Sequence, residues 1–312
     1  MASPTSSVQW VPGQPVGAGR FVLGQLLILL LILISGCVVG KQGPNQLAGK
    51  QTGTNKAVPQ LGERWTNSLG MSFAPVPGTK VLFGIWDVRV KDYAAYAASV
   101  PGVDASWKKV EYEGVPVSDG PEHPVTMVSW EDAKAFCAWL TKKEQGEGKL
   151  AAGQEYRLPT DAEWSYAVGI GDKEGNGTPK DKKNGQLDDV YPWGNQWPPP
   201  KGAGNYVDMT SRQKFGEKRT FIEGYDDGYA TTSPVGSFKA NSFGLYDMGG
   251  NVWQWCEDFY DGQSGSRVLR GALWYGADPD DLRSSFRNLN TPVNRINFFG
   301  FRVVVVAAGS VR

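Results

Sequence analysis

The sequence predicts an α+β fold made of short helices, an antiparallel sheet and a large irregular loop content. Its 312 residues include 40 Gly, 20 Pro and 12 Trp, which is typical of a loop-rich chain held together by large aromatic side chains. The β-rich segments are short and are separated by Gly or Asp turns, at 252–255, 267–269 and 301–306. Two helix starts carry N-capping patterns. These three observations favour short elements on a loop-rich frame over long regular ones.

The first predicted elements are a strand followed by a helix. Leu82–Val90 has the β-branched and aromatic composition of a strand, and Lys91–Val100 repeats its apolar residues at helical spacing. Ser129 with Asp132 three residues later predicts the capped start of a second helix.

A third helix is predicted over Asp161–Val168, capped by Thr160 with Glu163 reaching back. The polar, Gly-rich tract 169–232 shows no period that would form a core, so we expect it to be irregular. A loop of that length needs internal ties. Aromatic inserts are expected to provide them at 191–195 and 204–208.

The N-terminal segment predicts export and membrane attachment. Phe21–Gly36 is an apolar block. Its end together with the next residue, Ile34-Ser35-Gly36-Cys37, resembles a bacterial lipobox, in which the Cys37 thiol receives the lipid. The alternative is an uncleaved anchor, because Phe21–Gly40 is about as long as a bilayer span. A Cys at the end of the apolar run favours the lipoprotein. Either way the domain is expected in the cell envelope, outside the cytoplasm.

Three parts are therefore expected: a signal peptide or anchor at 1–36, a flexible polar tether at 37–61 and one folded domain at 62–308. Lys plus Arg and Asp plus Glu are equal at 32 each. No bulk electrostatic field would draw such a chain to nucleic acid, and we expect no nucleic-acid partner.

Two cysteines remain besides Cys37. Cys137 shares a helical face with Phe136 and Leu140, which predicts a core thiol, and Cys256 lies in an aromatic strand pattern. A disulfide between Cys137 and Cys256 is an open alternative outside the cytoplasm.

Four motifs occur in a fixed order along the domain. They are YRLPTDAEW at 156–164, GLYDMGGNVWQW at 244–255, RGALW at 270–274 and GFR at 300–302. Together they resemble the formylglycine-generating enzyme, or sulfatase-modifying factor, family. The resemblance implies a C-type-lectin-like architecture for 62–308.

The resemblance also implies two calcium sites. The first would use the side chains of Asp208 and Asp227 with the carbonyls of Met209 and Tyr229. The second would use Asp247 and Gln254 with the carbonyls of Gly250 and Val252. Gln254 stands where the family has Glu, so the second site has less ligand charge and weaker support. The alternative is that these Asp residues, with Asp226, are ordinary turn residues.

Catalysis by the family's route is not expected. The family's enzymes hold copper on a cysteine pair in the segment that follows the Arg-Gly-Gly-Ser-like motif, and the corresponding tract 274–287 contains no Cys. A related branch uses three histidines for iron, whereas His123 is the only histidine here and is expected to be structural. We therefore expect neither copper nor iron, and no catalytic residue is assigned.

The tract 266–304 resembles the variable region of proteins diversified by retroelements. Aromatic, Asp and Asn residues alternate in it with residues that look like fixed scaffold, and such a mixture suits adaptable binding loops. The candidate ligand-binding residues are Trp274, Tyr275, Asp278, Asp280, Asp281, Phe286, Asn288, Asn290, Asn294, Asn297 and Phe298. The arginines Arg270, Arg283, Arg287 and Arg302 are expected to pair inside the fold. The alternative is that the aromatic residues are ordinary core.

The sequence thus favours a membrane-tethered, non-enzymatic display protein that binds an external protein or surface ligand around 275–299. The alternative is an oxidoreductase of the sulfatase-modifying type that acts on a protein or envelope substrate without the usual cysteine pair. A third hypothesis is that the protein is a structural lipoprotein of the cell envelope.

Overall fold

The computed structural model describes residues 58–184, 187–216, 220–263 and 265–308. The apolar block Phe21–Gly36, Cys37 and nearly all of the tether lie outside these residues. Within the described part of the chain, no helix has both the length and the apolar composition needed to cross a bilayer.

Eleven short strands and five helices occur within the described ranges. The strands are β1 Trp65–Thr66, β2 Ser72–Pro75, β3 Val81–Gly84, β4 Glu111–Tyr112, β5 Val115–Pro116, β6 Tyr156–Arg157, β7 Trp253–Phe259, β8 Arg267–Arg270, β9 Asn288–Asn290, β10 Phe299–Gly300 and β11 Val304–Val306. The helices are α1 Val90–Ser99, α2 Trp130–Gly146, α3 Asp161–Val168, α4 Pro179–Asn184 and α5 Met209–Phe215, with 3₁₀ turns at Ser106–Lys108 and Gly171–Lys173.

The strands form two main sheets. One has the order β1-β2-β3-β11-β6 and is antiparallel throughout, and the other has the order β10-β7-β8-β9. In the second sheet β10 runs parallel to β7, while the β7–β8 and β8–β9 pairs are antiparallel. A hairpin of β4 and β5 stands apart. The predicted α+β class with short elements is confirmed.

The helix caps agree with the sequence. Ser129 accepts a hydrogen bond from the Asp132 N–H and Thr160 accepts one from the Glu163 N–H, and each acidic side chain bonds back to its cap. The third helix covers Asp161–Val168, as predicted. These two capping boxes satisfy backbone N–H groups that would otherwise lack partners at the starts of α2 and α3.

The predicted strands at 82–90 and 301–306 are shorter in the structure. β3 ends at Gly84, whose N–H bonds to the Val303 carbonyl, and a Cβ at Gly84 would come within 2.9 Å of that oxygen. The C-terminal segment is split because the chain leaves one sheet after Gly300 and enters the other at Val304. Arg302 lies in this crossover, fully buried.

The tract 169–232 contains the 3₁₀ turn Gly171–Lys173 and the short helices α4 and α5, and the rest of its described part is irregular. Its aromatic ties are present: the Tyr191 and Trp193 rings stack at 4.8 Å, and Trp193 meets the edge of Tyr206 at 5.2 Å. Tyr206 is fully buried.

Both remaining cysteines are buried free thiols. Burial raises the pKa of Cys137 to about 12 and raises that of Cys256 well above its usual value. They are core residues, and the disulfide alternative is not observed.

Candidate functional site

A buried ion-pair network holds the base of the candidate binding tract. Asp161, at the first position of α3, accepts hydrogen bonds from Arg270 at the end of β8 and from Arg287 just before β9. Arg287 also pairs with Glu174, which directly follows the 3₁₀ turn Gly171–Lys173. Both arginines are fully buried. The segment between Arg270 and Arg287 is thereby closed at its two ends by one carboxylate.

Of the other arginines, Arg302 is engaged inside the fold, as predicted, whereas Arg283 pairs with an exposed carboxylate at the surface. Arg302 donates to the backbone oxygens of Gly84 and Tyr246 at 2.8 and 2.6 Å. Arg283 pairs with Asp280 at 2.8 Å. Arg295 forms a bidentate pair with Asp132 at 2.7 and 2.8 Å, which ties the tract to the start of α2.

The candidate residues do not form one continuous patch. Trp274 is only 1% exposed and packs in a cluster with Val110 and Val117. Trp274 is therefore a core residue beneath the candidate binding surface, and a ligand could reach its ring only if the neighbouring side chains moved. Tyr275 and Phe298 are half-buried against the same cluster.

Two residues outside the tract complete this aromatic cluster. The Tyr112 ring, from the β4–β5 hairpin, lies 5.3 Å from Trp274 and 5.6 Å from Tyr275, and the Phe215 ring at the end of α5 lies 5.3 Å from Tyr112. Neither Tyr112 nor Phe215 was predicted from the sequence, because no local pattern links a hairpin far upstream to this tract.

A second part of the tract follows the edge of a sheet. β9 is the outer strand beside β8, and Asn288 and Asn290 on it are half-buried. Their side-chain oxygens accept from the N–H groups of Leu289 and Thr291, and Asn290 also accepts from the Asn294 amide. The most exposed apolar side chains here belong to Leu289, at 38%, and Val293, at 56%. Neither was among the predicted binding residues.

The remaining candidate residues lie, along the chain, between the aromatic cluster residues and the strand β9 or just after β9. Asp278 and Asp280 are exposed on a turn, Asp281 is half-buried next to them, Phe286 meets the Trp253 ring at 5.9 Å, and Asn297 is half-buried. The turn keeps its shape through the Asp280 N–H, which donates to the Asp278 carboxylate.

The first predicted calcium site brings its two acidic residues together. Asp208 accepts from the N–H groups of Asp227 and Gly228, and Asp227 accepts from those of Tyr206 and Tyr229. Burial, and then the charge of Asp208, raises the pKa of Asp227 to about 8. A buried carboxylate at Asp208 beside the half-buried carboxylate of Asp227 gives an oxygen-only donor set of the kind that a hard cation takes. Within the described ranges, however, no group of three His, Cys, Asp or Glu side chains is arranged to hold a metal.

The second predicted calcium site does not fit in the same way. The Gln254 side-chain oxygen accepts from the Trp164 indole at 3.0 Å and from Arg302 at 3.1 Å, and its amide donates to the Asp247 backbone oxygen. The Gln254 amide is therefore used by the fold. The carbonyls of Gly250 and Val252 lie in the segment just before Gln254, whose side-chain oxygen is not free to complete a calcium site with them.

His123 is buried and structural. Its Nδ1 lies 3.0 Å from the Thr232 hydroxyl, and burial lowers its pKa. No second histidine exists in the chain.

These features define an α+β domain of C-type-lectin-like architecture with a clamped loop tract beside a sheet edge. The model of the sulfatase-modifying factor enzyme 1-like domain matches residues 60–307, and the chain belongs to that family. The expectation from the four motifs is confirmed.

The relatives include proteins named as active and as inactive. The chain is 36% identical to the formylglycine-generating enzyme of Thermomonospora curvata, over 72% of this chain and 67% of that one. It is 33% identical to the bovine inactive C-alpha-formylglycine-generating enzyme 2, over 65% of this chain but only 57% of the relative.

Two solved structures are similar in fold. PvdO from Pseudomonas aeruginosa matches with a TM-score of 0.50 at 24% identity, over 79% of this chain and 98% of its own. Treponema denticola variable protein 1 matches with a TM-score of 0.49 at 22% identity, over 78% of this chain and 98% of its own.

Proposed function

We propose that this protein is a non-enzymatic, membrane-tethered binding protein that presents the tract 275–299 to an external protein or surface ligand. The observation that carries the proposal is the chemistry of this tract. The family's enzymes hold copper on two cysteines, whereas the corresponding tract of this chain contains no Cys and offers half-buried rings, amides and exposed apolar side chains.

The geometry supports a division between frame and surface. The tract is fastened by Asp161, by the Arg295–Asp132 pair and by the Met127 N–H, which bonds to the Ile296 carbonyl. Between these fastenings, Asp278, Val293 and Asn294 are exposed. Loops held on a rigid frame can bind through their side chains with little loss of backbone entropy.

A relative that is named inactive supports a loss of oxidase chemistry. The family includes members named inactive, and a scaffold without the cysteine pair would keep its fold while losing the copper site. Calcium at Asp208 and Asp227 is part of the proposal as a structural ion, with the carbonyls of Met209 and Tyr229. When bound it would neutralise the buried Asp208 and the half-buried Asp227 and stabilise the loop that leads into α5.

Photo-crosslinking on intact cells tests the proposed surface. A photoreactive residue placed at Val293 in the full chain should give a covalent adduct with an external ligand, because this side chain is the most exposed apolar group of the tract. The matched control carries the same residue at the exposed Lys149 of the loop after α2. Equal adducts at both positions, or none at Val293, would contradict the proposal.

A further inference from the structure

Backbone strain is concentrated at a few positions of the fold. Among the residues that the structure describes, six besides glycine have a positive φ. Three of the six are Asp or Asn, whose side chains tolerate this conformation best. The other three are Glu113, Met127 and Ala272, with φ of 49°, 58° and 65°. Residues of these types adopt the left-handed region only where their surroundings hold them there, and such strain is typical of ligand-binding sites.

All three strained residues border the aromatic cluster around Trp274. Glu113 directly follows Tyr112 in the β4–β5 hairpin, and Met127 packs against the same cluster. Ala272 lies two residues before Trp274. Three segments that are distant in sequence therefore bring their strain to one place.

The hairpin shows most clearly that local structure does not explain the strain. Tyr112 pairs with Val115, so Glu113 and Gly114 form a two-residue turn in which both residues have a positive φ. Such a turn favours Asn or Gly at its first position. Glu113 is exposed, so packing in the core does not account for the Glu either.

The cluster presents a half-buried apolar face. The Phe215, Trp274 and Tyr275 rings meet the Tyr112 ring at 79°, 70° and 54°, so they form no flat platform. A flexible thioether beside tilted rings adapts to apolar side chains of varied shape. The half-buried members of the cluster are Tyr112, Met127, Phe215, Tyr275 and Phe298.

Charged groups next to these residues in the chain favour a protein over a membrane as the partner. Glu111 and Glu113 on either side of Tyr112, Asp278 in the following turn of the tract and Lys214 in α5 are all exposed. Polar groups of both charges beside an apolar centre are the usual composition of a protein interface. The carboxylates would also be repelled by anionic lipid headgroups.

We propose that this face is the apolar centre of the binding surface, and that the ligand is a protein that inserts one large apolar side chain among Tyr112, Met127 and Tyr275. This site rests on the proposed function and extends its surface to the hairpin and to Met127, which lie outside 275–299. The left-handed backbone at Glu113 and Met127 holds both segments in place before the ligand arrives, which lowers the entropy cost of binding.

Selection of a phage-displayed library of random peptides on the full chain tests the proposal. Enriched peptides should share one Trp, Phe or Leu, and a selected peptide should bind Tyr112→Ala at least about tenfold more weakly than the parent chain. Phe238→Ala also removes a half-buried ring, is the matched control and should bind within about twofold of the parent chain.

Two outcomes of this selection would overturn the proposal. Peptides that lose affinity through Leu289→Ser and not through Tyr112→Ala would do so while leaving the proposed display surface intact. Binding of phosphatidylserine vesicles that Tyr112→Ala abolishes would show that the face takes a membrane instead of a protein.

Two further variants separate binding from stability. Met127→Asn keeps a residue that tolerates the left-handed backbone, removes the thioether and should weaken the selected peptide at least about tenfold. Glu113→Asn should raise the Tm, because Asn-Gly suits the turn, and yet weaken the peptide at least about threefold through loss of the exposed carboxylate. A lower Tm in Glu113→Asn, or parental affinity in both variants, would contradict the assignment.

Discussion

Asp161 holds Arg287 through a bidentate pair, with Arg287 Nε 3.0 Å from one carboxylate oxygen and a terminal nitrogen 2.9 Å from the other. The same carboxylate accepts from Arg270. Because Arg270 and Arg287 bracket the candidate loop, one buried side chain sets the separation of its two ends.

Loss of this carboxylate should be strongly destabilising. Asp161→Asn would leave two fully buried guanidinium groups with less negative charge, and breaking a buried pair costs about 3–5 kcal/mol of unfolding free energy. Denaturant titration measures this change. The exposed Asp278→Asn is the matched control and should stay within about 0.5 kcal/mol of the parent chain. Equal effects of the two substitutions would refute the structural role of the Asp161 pairs with Arg270 and Arg287.

Truncating exposed side chains of the tract should change the unfolding free energy much less than truncating the buried Trp274. Val293→Ser and Asn294→Ser are expected to change the unfolding free energy by no more than about 0.5 kcal/mol each, since both side chains are exposed. Trp274→Ala should cost about 3–5 kcal/mol, because it empties a buried indole site. Thermal unfolding ranks the three variants. A large loss at Val293 would show that it belongs to the core.

Calcium should stabilise the domain through Asp208 and Asp227. A ligand bound only to the native state adds about 2.7 kcal/mol at a hundred times its Kd, so a chelator should lower the Tm of calcium-loaded protein. Asp227→Asn removes one ligand charge and should abolish most of this difference. The exposed Asp278→Asn lies outside the site, serves as the matched control and should leave the calcium response intact. A Tm that changes with neither calcium nor chelator would contradict the proposed calcium site.

His123 gives a pH prediction with a defined sign. Burial holds its folded pKa below the usual 6.5, so the unfolded chain binds the proton more readily. The stability contributed by neutral His123 is complete above about pH 6.5 and is lost as the pH falls toward the folded pKa. Its ring resonance is unique in the chain, so an NMR titration reads the pKa directly. A midpoint above 6.5 would be inconsistent with the buried imidazole.

Local signals in the sequence predicted local structure well. The Ser129 and Thr160 caps fixed the starts of α2 and α3, because a capping box is complete within four residues. The internal pairing of Arg270, Arg287 and Arg302 was also predicted, since buried guanidinium groups need carboxylate or carbonyl partners.

Long-range geometry could not be predicted. Nothing near Tyr112 or Phe215 indicates that their rings pack on Trp274 and Tyr275. The change of sheet between Gly300 and Val304 depends on where Arg302 is buried, which the β-rich composition of that segment does not reveal. The split of the predicted binding residues into an aromatic cluster and a sheet edge has the same cause.

We propose that this chain binds an external ligand and does not oxidise a peptide thiol. The most direct test incubates the full chain with copper, oxygen and a thiol-bearing substrate peptide of the family's enzymes, and follows aldehyde formation by mass spectrometry. The Thermomonospora curvata relative serves as the positive control. The account predicts no aldehyde from this chain under conditions in which the relative converts the peptide. Catalytic conversion of the peptide to the aldehyde would contradict it.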